Sequence, residues 1–90
     1  MTKTRDNPDK GRFELDEGGD TAIAAYVMEG GTIVFTHTEV PAALAGRGVG
    51  TRLIEGALTI VRDRDQRIVP ACSFVDHYVR THPDTHDLLA

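Results

Sequence analysis

Three glycines at alternate positions occupy the short segment AGRGVG, from Ala45 to Gly50, between a predicted strand and a predicted helix. Glycine lets the backbone itself approach a ligand closely. The first turn of an α-helix also has N–H groups without intrahelical acceptors and the positive end of the helix dipole. Main-chain donors from Arg47 to Thr51 are therefore predicted to bind phosphate oxygens, with the side chains of Arg47 and Arg52 at the edge. The alternative is a tight turn that serves packing alone.

Two known phosphate-binding loops fit this segment poorly. A P-loop ends in Gly-Lys-Ser/Thr, whereas the sequence here is Gly50-Thr51 without the lysine. A dinucleotide-binding fingerprint that starts at Gly46 requires a glycine where Thr51 stands, and it requires a preceding parallel βαβ unit. The residues alone thus predict an anion-binding helix start and do not name the anion.

Alternating apolar residues predict three antiparallel strands before the loop. Breaks at 16–20 and 29–31 separate them, and the second break contains the adjacent glycines that a tight hairpin turn favours. The third strand is predicted to stop at Pro41, which has no N–H for a ladder. Residues 1–10 are polar and include a turn-forming Asn-Pro-Asp, so we expect a loose lead-in to a single domain over 1–90.

The second half predicts a helix, a strand and a second helix. Apolar residues at 49, 53, 54, 57, 58 and 61 have helical spacing and indicate one amphipathic helix of about four turns. Arg67 to Cys72 is predicted to be a strand, in which Pro70 favours an edge position or a bulge. Ser73 is a candidate cap for the last helix. Its predicted apolar face consists of Phe74, Val75, Tyr78 and Val79.

The order βββ-α-β-α is an α+β arrangement with a right-handed crossover, which places the fourth strand parallel to the third.

Composition excludes several classes of function. The chain has 90 residues and a net charge of -4 with scattered cations, so we expect no nucleic-acid partner. No apolar run approaches the ~20 residues of a membrane span, and no apolar stretch follows the first charges, so we expect a cytoplasmic protein.

Neither a disulfide nor a metal site is expected. Cys72 is the only cysteine, and the histidines lack a ligand spacing on one element except for His82 and His86 near the end of the chain. We expect a monomer or a weak homodimer.

Several segments together resemble the GNAT superfamily of N-acetyltransferases. They are HTEVP, GRGVGTRLIEGAL, IVPACSFV and HYVRTHP, within a stretch from about Phe13 to Pro83. They are most similar to the minimal acetyl-CoA-binding members of about this length. The resemblance implies a GNAT-like fold in which the loop amides hold the pyrophosphate of acetyl-CoA. The implied coenzyme-binding residues are Glu39, Val40, Gly46, Arg47, Gly48, Val49, Gly50 and Thr51.

Two departures from the superfamily pattern affect this interpretation. The Gln or Arg that commonly opens the loop is Ala45 here, so only glycines and amides support phosphate binding. The two-helix block that usually follows the first strand is absent from the predicted elements. The acceptor site is therefore very open, completed by a partner, or missing.

The resemblance also suggests where acyl transfer would take place. It implies that the third and fourth strands splay apart and that the pantetheine arm lies along Thr38, Glu39 and Val40. Cys72 would then face the acyl group near a helix start, which lowers a thiol pKa. The hypothesis is that Cys72 accepts or stabilises the acetyl group, while His37 or Tyr78 shuttles a proton.

Each of these residues also has an ordinary structural interpretation. A lone cysteine on a core strand is often buried filler, and Tyr78 on an apolar helix face is expected to pack. His37 and Glu39 are typical of a solvated strand face, although Glu39 could activate an amine through water. The leading prediction is an acetyl-CoA-dependent N-acetyltransferase that acts on an unidentified amine or thiol acceptor. The alternatives are a non-catalytic acyl-CoA binding or sensing module and a small interaction domain with a structural loop.

Overall fold

In the computed structural model, which describes residues 3–90, four strands precede a helix, a fifth strand and a second helix. Within this range the strands are Arg5–Asn7 (β1), Arg12–Glu17 (β2), Asp20–Glu29 (β3), Thr32–Glu39 (β4) and Arg67–Pro70 (β5). The α-helices are Val49–Asp63 (α1) and Ser73–Arg80 (α2), and 3-10 turns span Pro8–Lys10, Ala42–Leu44 and Pro83–Leu88. Neither α-helix of residues 3–90 has the length and hydropathy to cross a membrane.

All five strands form one sheet in the order β1-β2-β3-β4-β5. The first four run antiparallel to their neighbours, and β5 is parallel to β4. The predicted three-strand meander, the α crossover and the parallel strand beside it are confirmed, as is the α+β class. Pro70 lies on β5, the last strand of the sheet, where a missing N–H is tolerated.

The prediction of a loose lead-in over 1–10 is wrong for Arg5–Asn7. These residues form β1, in which Arg5 pairs with Glu14 and Asn7 with Arg12. Polar contacts hold the strand: the Arg5 guanidinium bonds the Glu14 carboxylate at 2.8 Å, and Asp6 accepts a hydrogen bond from Tyr26 at 2.7 Å. An apolar alternation cannot reveal such a strand because it contains no apolar residue. The first two residues of the predicted lead-in lie outside the described range.

One face of the sheet carries the core. The buried apolar strand residues occupy alternate positions, so they point to the same side, and α1 and α2 pack there. Helix α1 lies mainly over β2 and β3, whereas α2 lies over β4 and β5. The largest fully buried side chains are Phe13, Phe35, Leu15, Ile33, Leu44, Leu53, Ile54, Ile68, Val49, Val61 and Val75. Within residues 3–90, no α-helix covers the opposite face.

An irregularity in β4 decides which side chains face the core beyond its midpoint. Tyr26 pairs with Phe35, but Ala25 pairs with His37, so Thr36 is an extra residue in the ladder. The register shift turns Thr38 toward the core face on which Phe35 lies, and His37 toward the open face. The ladder between β4 and β5 ends at Phe35 and Pro70, so the rest of β4 has no strand on that side in the described chain.

The last helix begins at Ser73, so the predicted capping role of Ser73 is wrong. Cys72 occupies the N-cap position with an extended backbone, and Ser73 is already the first helical residue. The bond from the Asp76 amide to the Cys72 carbonyl, 2.9 Å, opens the helical ladder. A cysteine at this position directs its sulfur toward the free amides of the first turn, which bears directly on its chemistry.

Candidate functional site

The glycine loop takes a backbone shape that requires glycine at two of its three positions. Gly46 has φ +77° and Gly48 has φ +69°, both in the left-handed region that other residues rarely adopt. A Cβ atom built on either would meet no heavy atom within 4 Å, so the space beside both positions is open. Gly48 is the N-cap of α1, which means that this open space lies at the helix start.

Backbone donors at the start of α1 are free. The first helical hydrogen bond runs from the Arg52 amide to the Gly48 carbonyl, at 3.1 Å. Within residues 3–90, the amides of residues 48–51 donate to no backbone or side-chain acceptor. The Arg47 amide, which the sequence predicts to be among the donors, instead points to the Leu44 carbonyl at 3.4 Å. Four consecutive amides at the positive end of a helix are suited to an anion.

A pocket of about 270 Å³ lies against these amides. Its polar side is the loop and the first turn of α1. Its apolar side consists of Val40, which directly follows β4, of Leu44, and of Phe74 from α2. Gly50 is required here for a different reason from the other two glycines. A Cβ on Gly50 would lie 2.6 Å from Cζ of Phe74 and 3.2 Å from Cγ2 of Val40. The pocket therefore has one wall of free amides and one apolar wall, a combination suited to an anionic group that is attached to an apolar chain.

The two arginines near the loop differ in availability. Arg52 forms an ion pair with Glu17 at 2.6 Å, so its charge is already engaged by β2. Arg47 makes no side-chain hydrogen bond or ion pair with any other residue of the described range. The expected pair of edge cations is thus reduced to Arg47, and the electrostatic attraction for a phosphate comes mainly from backbone dipoles.

Cys72 lies across the gap between β4 and the start of α2. Its Sγ is 3.3 Å from Oγ1 of Thr38, and only 8% of the residue is exposed. Burial raises the pKa of this thiol, but the hydroxyl of Thr38 and the nearby backbone amides of Val75 and Phe74 favour the thiolate more strongly and hold the pKa below its ordinary value. The neutral thiol makes no side-chain capping bond to the first turn of α2. The same amides favour the thiolate.

The structure does not bring His37 to this thiol. His37 precedes Thr38 in β4, and neighbouring strand residues point to opposite faces. Its side chain is 63% exposed on the open face, where Nε2 lies 3.8 Å from the carboxylate of Glu39. Glu39 is 70% exposed, so of the predicted coenzyme-binding pair only Val40 lines the glycine pocket.

Tyr78 is also separated from the glycine pocket. It is buried on α2, as its apolar position indicates, and its ring stacks on that of His82 with centroids 3.8 Å apart. It lines a different pocket, which shares no lining residue with the one at the glycine loop. Burial and the negative charges of Glu55 and Asp84 raise the pKa of its hydroxyl.

Two residues of the site are not identified by the sequence. The resemblance implies a backbone contact of Thr38 with a ligand, whereas its side-chain contact with Cys72 depends on the irregularity at Thr36. Helical spacing predicts Phe74 on the core face of the last helix, but it is 40% exposed and lines the glycine pocket. The sequence signal for its role is an aromatic residue in the first turn of the last helix. Among residues 3–90, no three His, Cys, Asp or Glu side chains form a group suited to a metal ion.

Free amides at a helix start, and a thiol beyond the end of the β4–β5 ladder, characterise a small α+β domain whose glycine pocket is suited to an anionic, partly apolar ligand. A family model described as a GCN5-related N-acetyl-transferase matches residues 12–88. The chain belongs to this family. The resemblance to GNAT proteins is therefore confirmed, and with it a general assignment to a family of acyltransferases.

Relatives and a solved structure agree with this assignment. The chain is 37% identical over 65 residues to Protein NATD1 of Gallus gallus and of Mus musculus, a match that covers 71% of this chain and 59% of each relative. The human protein of that name is also 37% identical, with 58% of its length covered. The chain thus spans about three fifths of these relatives. The solution NMR structure of a GCN5-like protein from Staphylococcus aureus superimposes with a TM-score of 0.73 at 24% identity, covering 98% of this chain and 87% of that one, which supports the fold.

Proposed function

We propose that this chain is an acetyl-CoA-dependent acyltransferase that acts through Cys72. The observation that supports this most directly is the pocket beside the glycine loop, where four free amides face an apolar wall. The amides of residues 48–51 would bind the diphosphate, and Arg47 would add a cation at the edge. Val40 and Phe74 would contact the pantetheine arm. Acetyl-CoA would supply an activated acetyl thioester.

The environment of Cys72 supports a nucleophilic role. The lowered pKa of Cys72 increases the thiolate fraction near neutral pH. Thr38, which contacts the sulfur, lies on the part of β4 that extends past the end of its pairing with β5. In the proposed step the Cys72 thiolate forms a bond to the acetyl carbon while the bond from that carbon to the coenzyme sulfur breaks. The coenzyme leaves as a thiolate and takes a proton from solvent.

The acceptor then attacks the acetyl group on Cys72. An amine nitrogen forms the new bond, the bond to Sγ breaks, and the amine proton passes to solvent as the Cys72 thiolate is restored. His37 and Glu39 lie on the opposite face of β4 and are therefore not assigned to the thiol. Tyr78 has no part in the proposed step because it lines the second pocket.

Intact-mass measurement after incubation with acetyl-CoA tests this proposal. We expect the mass of one acetyl group on the wild-type protein, removed by neutral hydroxylamine because the linkage is a thioester, and absent from Cys72→Ser. An adduct that persists in hydroxylamine, or that remains in Cys72→Ser, would contradict the role of Cys72. An amide-resolved titration with coenzyme A should in parallel shift the signals of residues 48–51, whereas the absence of such shifts would favour a purely structural loop.

A second candidate is a non-catalytic acyl-CoA binding or sensing module. The open sheet face supports it, because no α-helix within residues 3–90 encloses an acceptor on that side. Continuous release of free coenzyme thiol in the presence of amines distinguishes the two functions. Saturable binding with no release beyond a single turnover would favour the sensor.

A further inference from the structure

A further pocket lies on the face of the sheet that no α-helix of residues 3–90 covers. Its volume is about 510 Å³, larger than that of the glycine pocket, and we call it the open-face pocket. Strands β2, β3 and β4 form its floor. Its charged lining residues are Arg12 and Glu39, and Ile23, Val40 and Pro41 give it apolar surface. The two pockets share Val40, so the open-face pocket lies beside the proposed coenzyme site.

The cation of this pocket is held from behind by a buried carboxylate. Nε of Arg12 donates to Oε2 of Glu14 at 2.6 Å, and Glu14 is only 4% exposed although it points away from the core. Arg5 and Asn7 also donate to the Glu14 carboxylate, at 2.8 Å and 3.3 Å. These contacts fix the position of the Arg12 guanidinium. Within residues 3–90, its two terminal nitrogens donate to no acceptor, so their N–H groups are available at the pocket wall.

A carboxylate lies on the other side of the pocket. Ile23 pairs with Glu14 on β2 and with Glu39 on β4, so Glu39 stands at the same level of the sheet as the contact between Arg12 and Glu14. Adjacent strands are about 4.8 Å apart, which places the backbones of β2 and β4 roughly 10 Å apart. No Lys or Arg of the described range pairs with Glu39, and its basic contact is Nε2 of His37 at 3.8 Å. A guanidinium and a carboxylate therefore line one cavity without pairing with each other.

These two separated charges discriminate between classes of ligand. The Glu39 carboxylate repels a simple anion, and the Arg12 guanidinium repels a simple amine. A molecule that carries both a carboxylate and an ammonium group satisfies both sides of the pocket. The two oxygens of a carboxylate match the planar N–H donors of a guanidinium, and the three donors of an ammonium group match a carboxylate. Ile23 lies between the two charged groups and offers an apolar contact.

We propose that the open-face pocket binds an amino acid, with its carboxylate on the Arg12 guanidinium, its ammonium group on the Glu39 carboxylate and an apolar side chain against Ile23. The volume of the pocket is within the range of about 300 to 1,000 Å³ that is usual for small-molecule sites. A free amino acid and the two ends of a short peptide offer the same pair of charges. Binding at this pocket does not depend on the proposed acyl transfer.

An amide-resolved NMR titration near pH 7 tests the proposal. The probe is L-leucine, and its matched controls are 3-methylbutan-1-amine, which lacks the carboxylate, and 4-methylpentanoic acid, which lacks the amine. We expect saturable shifts from leucine at the amides of Thr21, Ile23 and Ala42, which line the pocket, and at least about ten-fold weaker binding of each control. L-leucylglycine is the peptide probe.

The affinities of these probes decide the outcome. Tighter binding of leucine assigns the pocket to free amino acids, and tighter binding of leucylglycine assigns it to the ends of short peptides. Absence of saturable shifts from both would overturn the proposal. An amine or acid control that binds as tightly as leucine would also overturn it, because one charge would then be sufficient.

Two variants and one control locate the binding site. Glu39→Gln changes a largely exposed side chain, so the fold is preserved, and we expect about ten-fold weaker binding of leucine. Arg12→Lys keeps a cation beside Glu14 but loses the planar donors, and should weaken binding about five-fold. Glu29→Gln makes the same change at an exposed carboxylate outside the pocket and should leave the affinity unchanged. Wild-type affinity in both Glu39→Gln and Arg12→Lys, or an equal loss in Glu29→Gln, would overturn the assignment.

Discussion

Substitution of Gly50 by alanine tests the packing that shapes the glycine pocket. The new methyl group would lie 2.6 Å from Cζ of Phe74, where ordinary contact begins near 3.4 Å, so the ring must move by most of an ångström. Overpacking of this kind costs about 1 to 3 kcal/mol. Alanine is more favourable than glycine inside a helix, and this difference in helix propensity stabilises the variant by up to about 1 kcal/mol. We expect a net loss in the free energy of unfolding of about 1 kcal/mol in Gly50→Ala.

A double-mutant cycle separates these two contributions. Phe74→Leu shortens the side chain and removes Cζ, so Gly50→Ala in that background should be neutral or stabilising. The coupling energy between the two substitutions then reports the overlap alone, about 1 to 3 kcal/mol. Urea denaturation followed by circular dichroism gives the required free energies, and each kcal/mol corresponds to about 4 to 8 °C in Tm for a domain of this size.

Gly48→Ala is the matched control. Its φ of +69° costs an alanine about 1 to 2 kcal/mol, but its Cβ would meet nothing within 4 Å. The cost should therefore be the same with Phe74 and with leucine at position 74. If the coupling of Phe74→Leu with Gly50→Ala is as small as its coupling with Gly48→Ala, the ring of Phe74 does not pack on Gly50, and the account of the pocket wall is refuted.

The hydrogen bonds of the fold support three further predictions. Thr38→Val removes the hydroxyl whose hydrogen bond lowers the pKa of Cys72, so the pH midpoint of iodoacetamide alkylation should rise. Thr38→Ser keeps the hydroxyl and should keep the wild-type midpoint. An unchanged midpoint in Thr38→Val would contradict the contact between Thr38 and Cys72. Burial and the hydrogen bond to Asp6 raise the pKa of Tyr26 to about 12. The protonated hydroxyl should therefore contribute its full stability below the unfolded pKa of about 10 and lose it as pH rises through 12. Tyrosinate absorbance checks this prediction. The hydrogen bond from Arg12 outweighs burial and lowers the pKa of Glu14. Glu14→Gln should therefore lower the free energy of unfolding by about 1 to 2 kcal/mol above the unfolded pKa of about 4.5. The difference between this variant and the wild type should shrink as pH falls below 4.5. A difference in the free energy of unfolding between wild type and Glu14→Gln that stays constant from pH 3 to 7 would contradict this prediction.

Much of the fold can be read from the sequence because it depends on periodicity. Strand alternation before Pro41 and helical spacing after Val49 predict the meander, the crossover helix and the parallel strand, and all are present. The glycine loop is also evident, since left-handed backbone and free amides at a helix start follow from local chemistry. The family model agrees with the resemblance that these segments suggest.

Strand β1 and the partners of the site residues cannot be predicted in this way. Strand β1 is held by polar contacts with residues distant in the sequence, such as the bond from Arg64 to Asp6 at 2.7 Å, which no pattern of apolar residues records. The ion pair between Arg52 on α1 and Glu17 on β2 could not be predicted for the same reason, because it joins two elements that are distant in the sequence. Contacts between distant segments depend on how elements pack, and packing is not encoded in any local window.

Local patterns in the chain are enough to set the element order, the position of the anion-binding amides and the presence of a single cysteine beside a helix start. The identity of the side chains that meet at that cysteine depends instead on how the strands pair. One extra residue at Thr36 reverses the faces of β4 from there on, so Thr38 contacts Cys72 while His37 faces the opposite side. The cause is that strand residues alternate with a period of two, so a shift of one residue exchanges the two faces completely.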